Sequence, residues 1–154
     1  MTSANLKKRQ TMSYLWVMIG SALGGLLRFT IDKLTIPFDT ALGGFPIGTV
    51  LINIIGSFTI GYFGTLTLHN GKFPVSENMR IFVMIGICGG FTTFSSFSLQ
   101  SFDLVRSGAW GRALANIILS VVLCLAAVAA GHRLAQHGPS DVAIAETAEE
   151  EYTG

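Results

Sequence analysis

Charged residues are scarce in this sequence, and their scarcity excludes most soluble proteins. Only 12% of the 154 residues are Asp, Glu, Lys or Arg, whereas soluble domains average about 25%. Half of the residues are hydrophobic, and the mean hydropathy is +0.56. An enzyme with a water-soluble core is therefore excluded. The formal net charge of +1 also argues against nucleic acid as a partner, because phosphate binding needs a concentrated basic surface.

Cysteine is almost lacking as well. Cys88 and Cys124 both lie in apolar stretches and form no CxxC pair. Neither a disulfide framework nor a zinc site follows, and we interpret both residues as small buried hydrophobes. An intramembrane enzyme is equally unsupported, because no His accompanies the serines of the apolar stretches, and the only Asp there is Asp103, at the end of the third run.

What the chain has instead is long apolar runs. A helix of about 20 residues crosses ~30 Å of hydrocarbon, so we predict an all-α integral membrane protein with four transmembrane helices. A basic cluster precedes the first run, as in a signal peptide. Because no convincing cleavage site follows, we interpret the first run as an uncleaved transmembrane helix. Pro37 marks the connection that follows it. The four runs are Tyr14–Phe29, Ile47–Leu68, Ile81–Leu104 and Ala113–Gly131.

Charge divides the chain into three parts. We predict a basic N-terminal segment over 1–11, a four-helix membrane domain over 12–133, and an acidic, disordered tail over 134–154. With four spans, six basic residues fall on the side of the termini and four on the other. This small excess favours a cytoplasmic N-terminus in the cell (inner) membrane, and it also allows insertion in both orientations.

Small and polar residues recur at helical spacing inside the runs. Gly20 and Gly24 form a GxxxG pair, which suits close packing either within one subunit or between two. Thr49, Asn53 and Ser57 form one polar stripe. This stripe either forms hydrogen bonds between helices or lines a site. Asn116, Ser120 and Cys124 share that spacing in the fourth run, and we interpret them as facing the bundle.

The third run has the most unusual pattern. Gly89-Gly90 weakens the helix and predicts a break near Gly89, where freed carbonyls could coordinate a cation. Beyond it, aromatic and hydroxyl side chains each repeat every three residues. Apart from Asp103, near the end of the third run, no acidic side chain lies within the predicted spans, and these neutral donors and ring edges favour a small anion as ligand. The repeating residues are Phe91, Phe94 and Phe97, and Thr92, Ser95 and Ser98.

These residues, in this order, resemble the Fluc (CrcB-type) fluoride channels. The similarity covers about residues 12 to 132 and is most specific in the string from Gly86 to Ser98. It implies a homodimer of two oppositely oriented copies in lipid, with two pores that let fluoride leave the cytoplasm passively and so confer fluoride resistance. Where the family often has Glu, this chain has Gln100, so a carboxylate at the pore mouth is missing.

The resemblance also implies a role for individual residues. Asn53 corresponds to the pore asparagine, and Phe94 and Phe97 correspond to phenylalanines whose ring edges face the anion. Backbone carbonyls at Gly89 and Thr92 correspond to the ligands of a structural sodium ion at the dimer interface. The remaining anion-pathway positions are Arg28, Thr49, Ser95, Ser96 and Ser98.

Two other functions fit a short four-helix membrane protein. A proton-coupled exporter of cationic drugs depends on a membrane-embedded glutamate, and here Glu77 is predicted in the loop before the third run. A non-transporting scaffold would use its polar stripes only for packing. Both alternatives stay open from the residues alone.

Overall fold

The computed structural model describes residues 3–68 and 71–136, and side chains from residue 10 onwards. Within this part the chain is all-helical, and four helices are long and apolar enough to cross a membrane. The helices are α1 Ser3–Ala41, α2 Ile47–Leu66, α3 Glu77–Arg80, a π-helical segment Ile81–Cys88, α4 Gly89–Phe91, α5 Phe94–Arg106 and α6 Trp110–Gln136. Most of the predicted tail lies outside the described residues.

The first helix is longer than the sequence predicted. α1 runs through Pro37 to Ala41, so the prediction that Pro37 belongs to a connection was wrong. A proline leaves one carbonyl of the preceding turn without its amide donor. Pro37 is exposed and close to the helix end, where that carbonyl can be solvated, so the helix continues.

The longer helices also bring carboxylates into the candidate spans. The candidate span Gln10–Ala41 includes Asp32 and Asp39, and the candidate span Glu77–Arg106 includes Glu77 and Asp103. Of these carboxylates, only Asp103 lies within one of the shorter predicted runs. Asp39 accepts hydrogen bonds through Oδ1 from the amides of Ile47 (3.0 Å) and Gly48 (3.4 Å). A carboxylate is favourable there because it satisfies free amides at a helix N-terminus. Asp39 therefore fixes the start of α2.

Glycines allow three pairs of elements to pack with their backbones in contact. A Cβ on Gly20 would lie 2.7 Å from the Cα of Gly86, and one on Gly24 would lie 2.8 Å from the amide nitrogen of Phe91. α1 therefore packs directly on the π-helical segment and α4. A Cβ on Gly131 would likewise lie 2.5 Å from the Phe58 carbonyl oxygen, where α2 packs along α6. The GxxxG pair thus serves packing within the chain itself.

The middle of the third span contains two residues that are not helical. Thr92 (φ −76°, ψ 156°) and Thr93 (φ −151°, ψ 114°) both have extended backbone. Gly89 itself has right-handed helical dihedral angles (φ −65°, ψ −37°). The extended backbone therefore lies three residues beyond the glycine to which the sequence pointed.

Candidate functional site

A groove of about 310 Å³ lies beside these two extended residues, where α2, α5 and α6 meet. Among the described residues its wall contains no charged side chain. It combines an amide, hydroxyls, a thiol, two phenylalanine rings and aliphatic groups. The lining residues are Asn53, Ser57, Ile60, Thr92, Thr93, Phe94, Phe97, Ser120, Val121, Cys124 and Val128.

Asn53 on α2 holds the extended backbone in place. Its Oδ1 accepts from the amide of Thr93 at 2.8 Å, and its Nδ2 donates to the carbonyl of Thr93 at 3.2 Å. One side chain thus satisfies both backbone groups of a residue that has left the helix. Since unpaired backbone groups are costly in a membrane, Asn53 stabilises this local conformation.

The extended backbone also changes the surroundings of two carbonyls. In an uninterrupted helix, Thr93 N–H would bond the Gly89 carbonyl and Ser96 N–H would bond the Thr92 carbonyl. Thr93 N–H donates to Asn53 instead, and Ser96 N–H donates to Thr93 Oγ1 at 3.1 Å. The two amides that would bond the predicted sodium ligands, Gly89 and Thr92, therefore have other acceptors.

Thr93 also starts the next helix. Its side chain accepts from Ser96 N–H in the manner of an N-cap, and its Oγ1 lies 3.1 Å from the hydroxyls of Ser95 and Ser96. These three hydroxyls form a small cluster at the start of α5. The cluster satisfies the N-terminus of α5 next to the groove.

Two phenylalanines of α5 form one side of the groove. The ring centroids of Phe94 and Phe97 are 5.3 Å apart, with the ring planes tilted by 47°. Phe97 is 9% exposed, whereas Phe94 is 78% exposed. The buried ring therefore lies inside the chain's helical bundle and the exposed ring at its surface, and the groove is open beside Phe94.

The structure brings only some of the predicted pathway residues into this groove. Asn53, Phe94 and Phe97 line it together with Thr92. Thr49 is buried one helical turn before Asn53, and the Ser98 hydroxyl donates to the Phe94 carbonyl at 2.9 Å. The predicted positions outside the groove wall are Arg28, Thr49, Ser95, Ser96, Ser98 and Gly89.

Two further residues that line the groove were interpreted from the sequence only as facing the bundle. Ser120 and Cys124 of α6 line the groove together with Asn53 and Phe97. The i, i+4 spacing was the available signal, and it placed both residues on one face of the helix. It could not show whether that face met a site or only packed against the bundle.

Comparison with known proteins gives a consistent result. Residues 15–132 match the model of the family described as CrcB-like protein, Camphor Resistance (CrcB). A fluoride-specific ion channel FluC from Methylobacterium radiotolerans is 61% identical over 121 residues, covering 79% of this chain and 82% of its own length. FluC from Gluconobacter oxydans is 56% identical over 137 residues, covering 88% of this chain and 93% of its own.

A third relative, FluC from Methylocella silvestris, is 59% identical over 124 residues, covering 80% of this chain and 93% of its own. The family match extends across all four apolar helices and includes every residue of the groove. From the match and these identities together, the chain belongs to the CrcB family of multi-pass membrane proteins.

Proposed function

We propose that this protein is a fluoride-selective channel that lets cytoplasmic fluoride leave passively and so relieves its toxicity. The observation that carries this proposal is the groove itself, where Asn53, Phe94 and Phe97 meet without a charged side chain. The relatives named fluoride-specific ion channels support the same function. Transport through this site requires no catalytic group, so the protein acts as a channel rather than an enzyme.

The chemistry of the groove suits a small, tightly hydrated anion. A side-chain amide has two N–H donors, and Asn53 uses one for Thr93, which leaves the other for an anion. Phenylalanine rings are positive at their edges, and the hydroxyls of Ser57 and Ser120 add further donors. Neutral donors replace water without trapping the ion, and conduction requires such weak binding at each step.

The groove argues against the two alternative functions. A proton-coupled exporter needs a carboxylate at the transport site, but Glu77 lines a different cavity, beside Arg80. A scaffold would not need donors along an open groove. The names of the relatives also favour a channel over both alternatives.

Reconstituted protein should therefore release fluoride from liposomes and retain chloride. Vesicles loaded with potassium fluoride or potassium chloride would be diluted into impermeant anion with valinomycin, and efflux followed with ion-selective electrodes. We expect rapid fluoride release and chloride release no faster than from protein-free vesicles. Fluoride release at the protein-free rate would contradict the channel function.

We further propose that two copies assemble in opposite orientations in the inner membrane, as the resemblance implies. The exposed Phe94 and Leu99 on α5 support this, because a second copy could cover them and close the open side of the groove. The nearly balanced basic residues on the two membrane sides also support both orientations.

Labelling of the tail tests this arrangement. A cysteine introduced by Ser140→Cys should react with an impermeant maleimide in about half of the molecules in intact spheroplasts, and in all of them after lysis. Cys88 is buried and Cys124 half-buried, so the parent protein reports their background reaction. Labelling that is complete or absent in intact spheroplasts would show a single orientation.

A structural sodium ion between the two copies is the final part of the proposal. The carbonyls of Gly89 and Thr92 fit such an ion, because the amides that would bond them in a helix donate elsewhere. Gly89 is exposed, and no atom other than those of its chain neighbours and its own helix backbone lies within 4 Å of the position of a Cβ there. A hard cation prefers oxygen ligands, and bound sodium would compensate these carbonyls in a nonpolar interface.

A further inference from the structure

The structure contains a buried chain of hydrogen bonds that ends on the groove at both sides. The Phe97 carbonyl accepts from the Ser101 hydroxyl at 2.7 Å, and Ser101 Oγ accepts from Asn116 Nδ2 at 2.8 Å. At the other end, Asn116 Oδ1 accepts from the Ser120 hydroxyl at 3.4 Å. Asn116 is fully buried, with 0% of its surface exposed, and does not line the groove.

We propose that Asn116 is a positioning residue for anion passage, which fixes Phe97 on α5 and Ser120 on α6 relative to each other. This inference rests on the proposed channel function. Asn116 itself does not contact the ion. Asn116 acts on Phe97, at one wall of the groove, through Ser101, and it bonds Ser120, at the other wall, directly.

The arrangement contains more than a general interhelical contact requires. The Ser101 hydroxyl bonds a carbonyl of its own helix, as serines in apolar helices commonly do, and this bond alone would leave α5 free to shift against α6. The additional bond from Asn116 ties the helical turn between Phe97 and Ser101 to α6. The ring of Phe97 is therefore held at a set distance from the opposite wall.

The bond to Ser120 is the longest of the three and so the weakest. A hydroxyl has a single proton, so Ser120 can donate to Asn116 or to an ion in the groove. Rotation of this hydroxyl toward an anion would leave the bonds from Asn116 to Ser101 and from Ser101 to Phe97 intact. Asn116 thus accepts from the Ser120 hydroxyl when no anion is present. When that hydroxyl turns to an anion, Phe97 remains held in place.

A double-mutant cycle on the unitary fluoride current tests the proposal. Ser101→Ala and Asn116→Leu each cut the link between α5 and α6, so each should lower the unitary current about threefold, the factor typical of one interhelical hydrogen bond. The double variant should also lose about threefold, because both changes break the same chain. Unitary current is measured on single channels, so a smaller amount of folded protein does not change it.

Ser107→Ala is the matched control. The Ser107 hydroxyl also donates to a carbonyl near the end of α5, that of Leu104 at 2.9 Å, but the residue lies away from the groove. Its unitary current should equal that of the parent protein. Should Asn116→Leu fail to assemble, the smaller Asn116→Ala also removes the donation to Ser101 without adding a charge, and it takes the same place in the cycle.

The outcomes separate this inference from the channel function itself. A loss of about ninefold in the double variant would mean two independent effects, and an unchanged unitary current with fewer active vesicles would mean a purely structural role. Either result overturns the positioning role while the parent protein still conducts fluoride. A parent protein without fluoride current would overturn both.

Discussion

Phe94→Ile should abolish fluoride flux while leaving the protein folded and the proposed dimer intact. Burying an ion costs several kcal/mol even after relaxation of its surroundings, and the groove compensates this cost with neutral donors and ring edges. Isoleucine is similarly apolar but has no positive rim. If the ring of Phe94 contributes only ~3 kcal/mol of the compensation, its loss slows passage about a hundredfold. Liposome efflux with a fluoride electrode measures this directly.

Phe102→Ile is the matched control for this variant. Phe102 lies on the same helix and is also exposed, at 58%, but its ring faces the Arg106 guanidinium rather than the groove. The control should therefore keep the parent flux. Chemical cross-linking of both variants and the parent protein would check that the proposed dimer is retained. Equal flux in Phe94→Ile and the parent would mean that this ring edge does not contact the permeating ion.

Hydropathy alone predicted the membrane-spanning architecture, because it depends only on the length and spacing of apolar runs. Helix ends were less accessible to sequence reasoning, since they depend on local solvation. Pro37 continues α1 because it is exposed near the end of that helix. Proline and glycine both destabilise a helix, but neither Pro37 nor Gly89 marks the residue at which the helical backbone ends.

The position of the extended backbone depends on a long-range partner. Gly89-Gly90 lowers helix propensity, yet Gly89 remains helical and Thr93 does not. Asn53 lies 40 residues away in sequence and bonds both backbone groups of Thr93. Residue spacing within one run cannot show such a pair, so the sequence could not predict that the backbone becomes extended at Thr93.

Only part of the candidate site could be predicted from the sequence, because local spacing does not show long-range partners. The i, i+4 rule placed Asn53 and Ser57 on one face of α2, and both line the groove. It placed Asn116 and Ser120 on one face of α6 as well, but their distances from the groove differ. Ser120 lines it, and Asn116 is buried behind it. Only the packing of α5 against α6 separates a lining residue from a supporting one.

Asn53→Ala should remove both fluoride flux and the stabilisation of the protein by sodium. The variant loses a donor in the groove, and it also releases both backbone groups of Thr93. Thr93 N–H could then return to the Gly89 carbonyl, which the proposed sodium ion needs. In the parent protein, sodium at about 100 times its Kd should raise the midpoint of thermal unfolding by about 5 °C relative to N-methylglucamine.

Thr59→Val controls for a change of a polar residue on the same helix. The Thr59 hydroxyl donates to the carbonyl of Ile55 at 2.8 Å and does not line the groove. This variant should retain the sodium-dependent shift, whereas Asn53→Ala should lose it. If Asn53→Ala lost flux but kept the shift, Asn53 would act only as a donor to the anion. The extended backbone would then keep the Gly89 and Thr92 carbonyls available to sodium without the hydrogen bonds from Asn53. If the parent protein itself showed no shift, the sodium site would be wrong, and fluoride efflux would remain the independent measure of the channel.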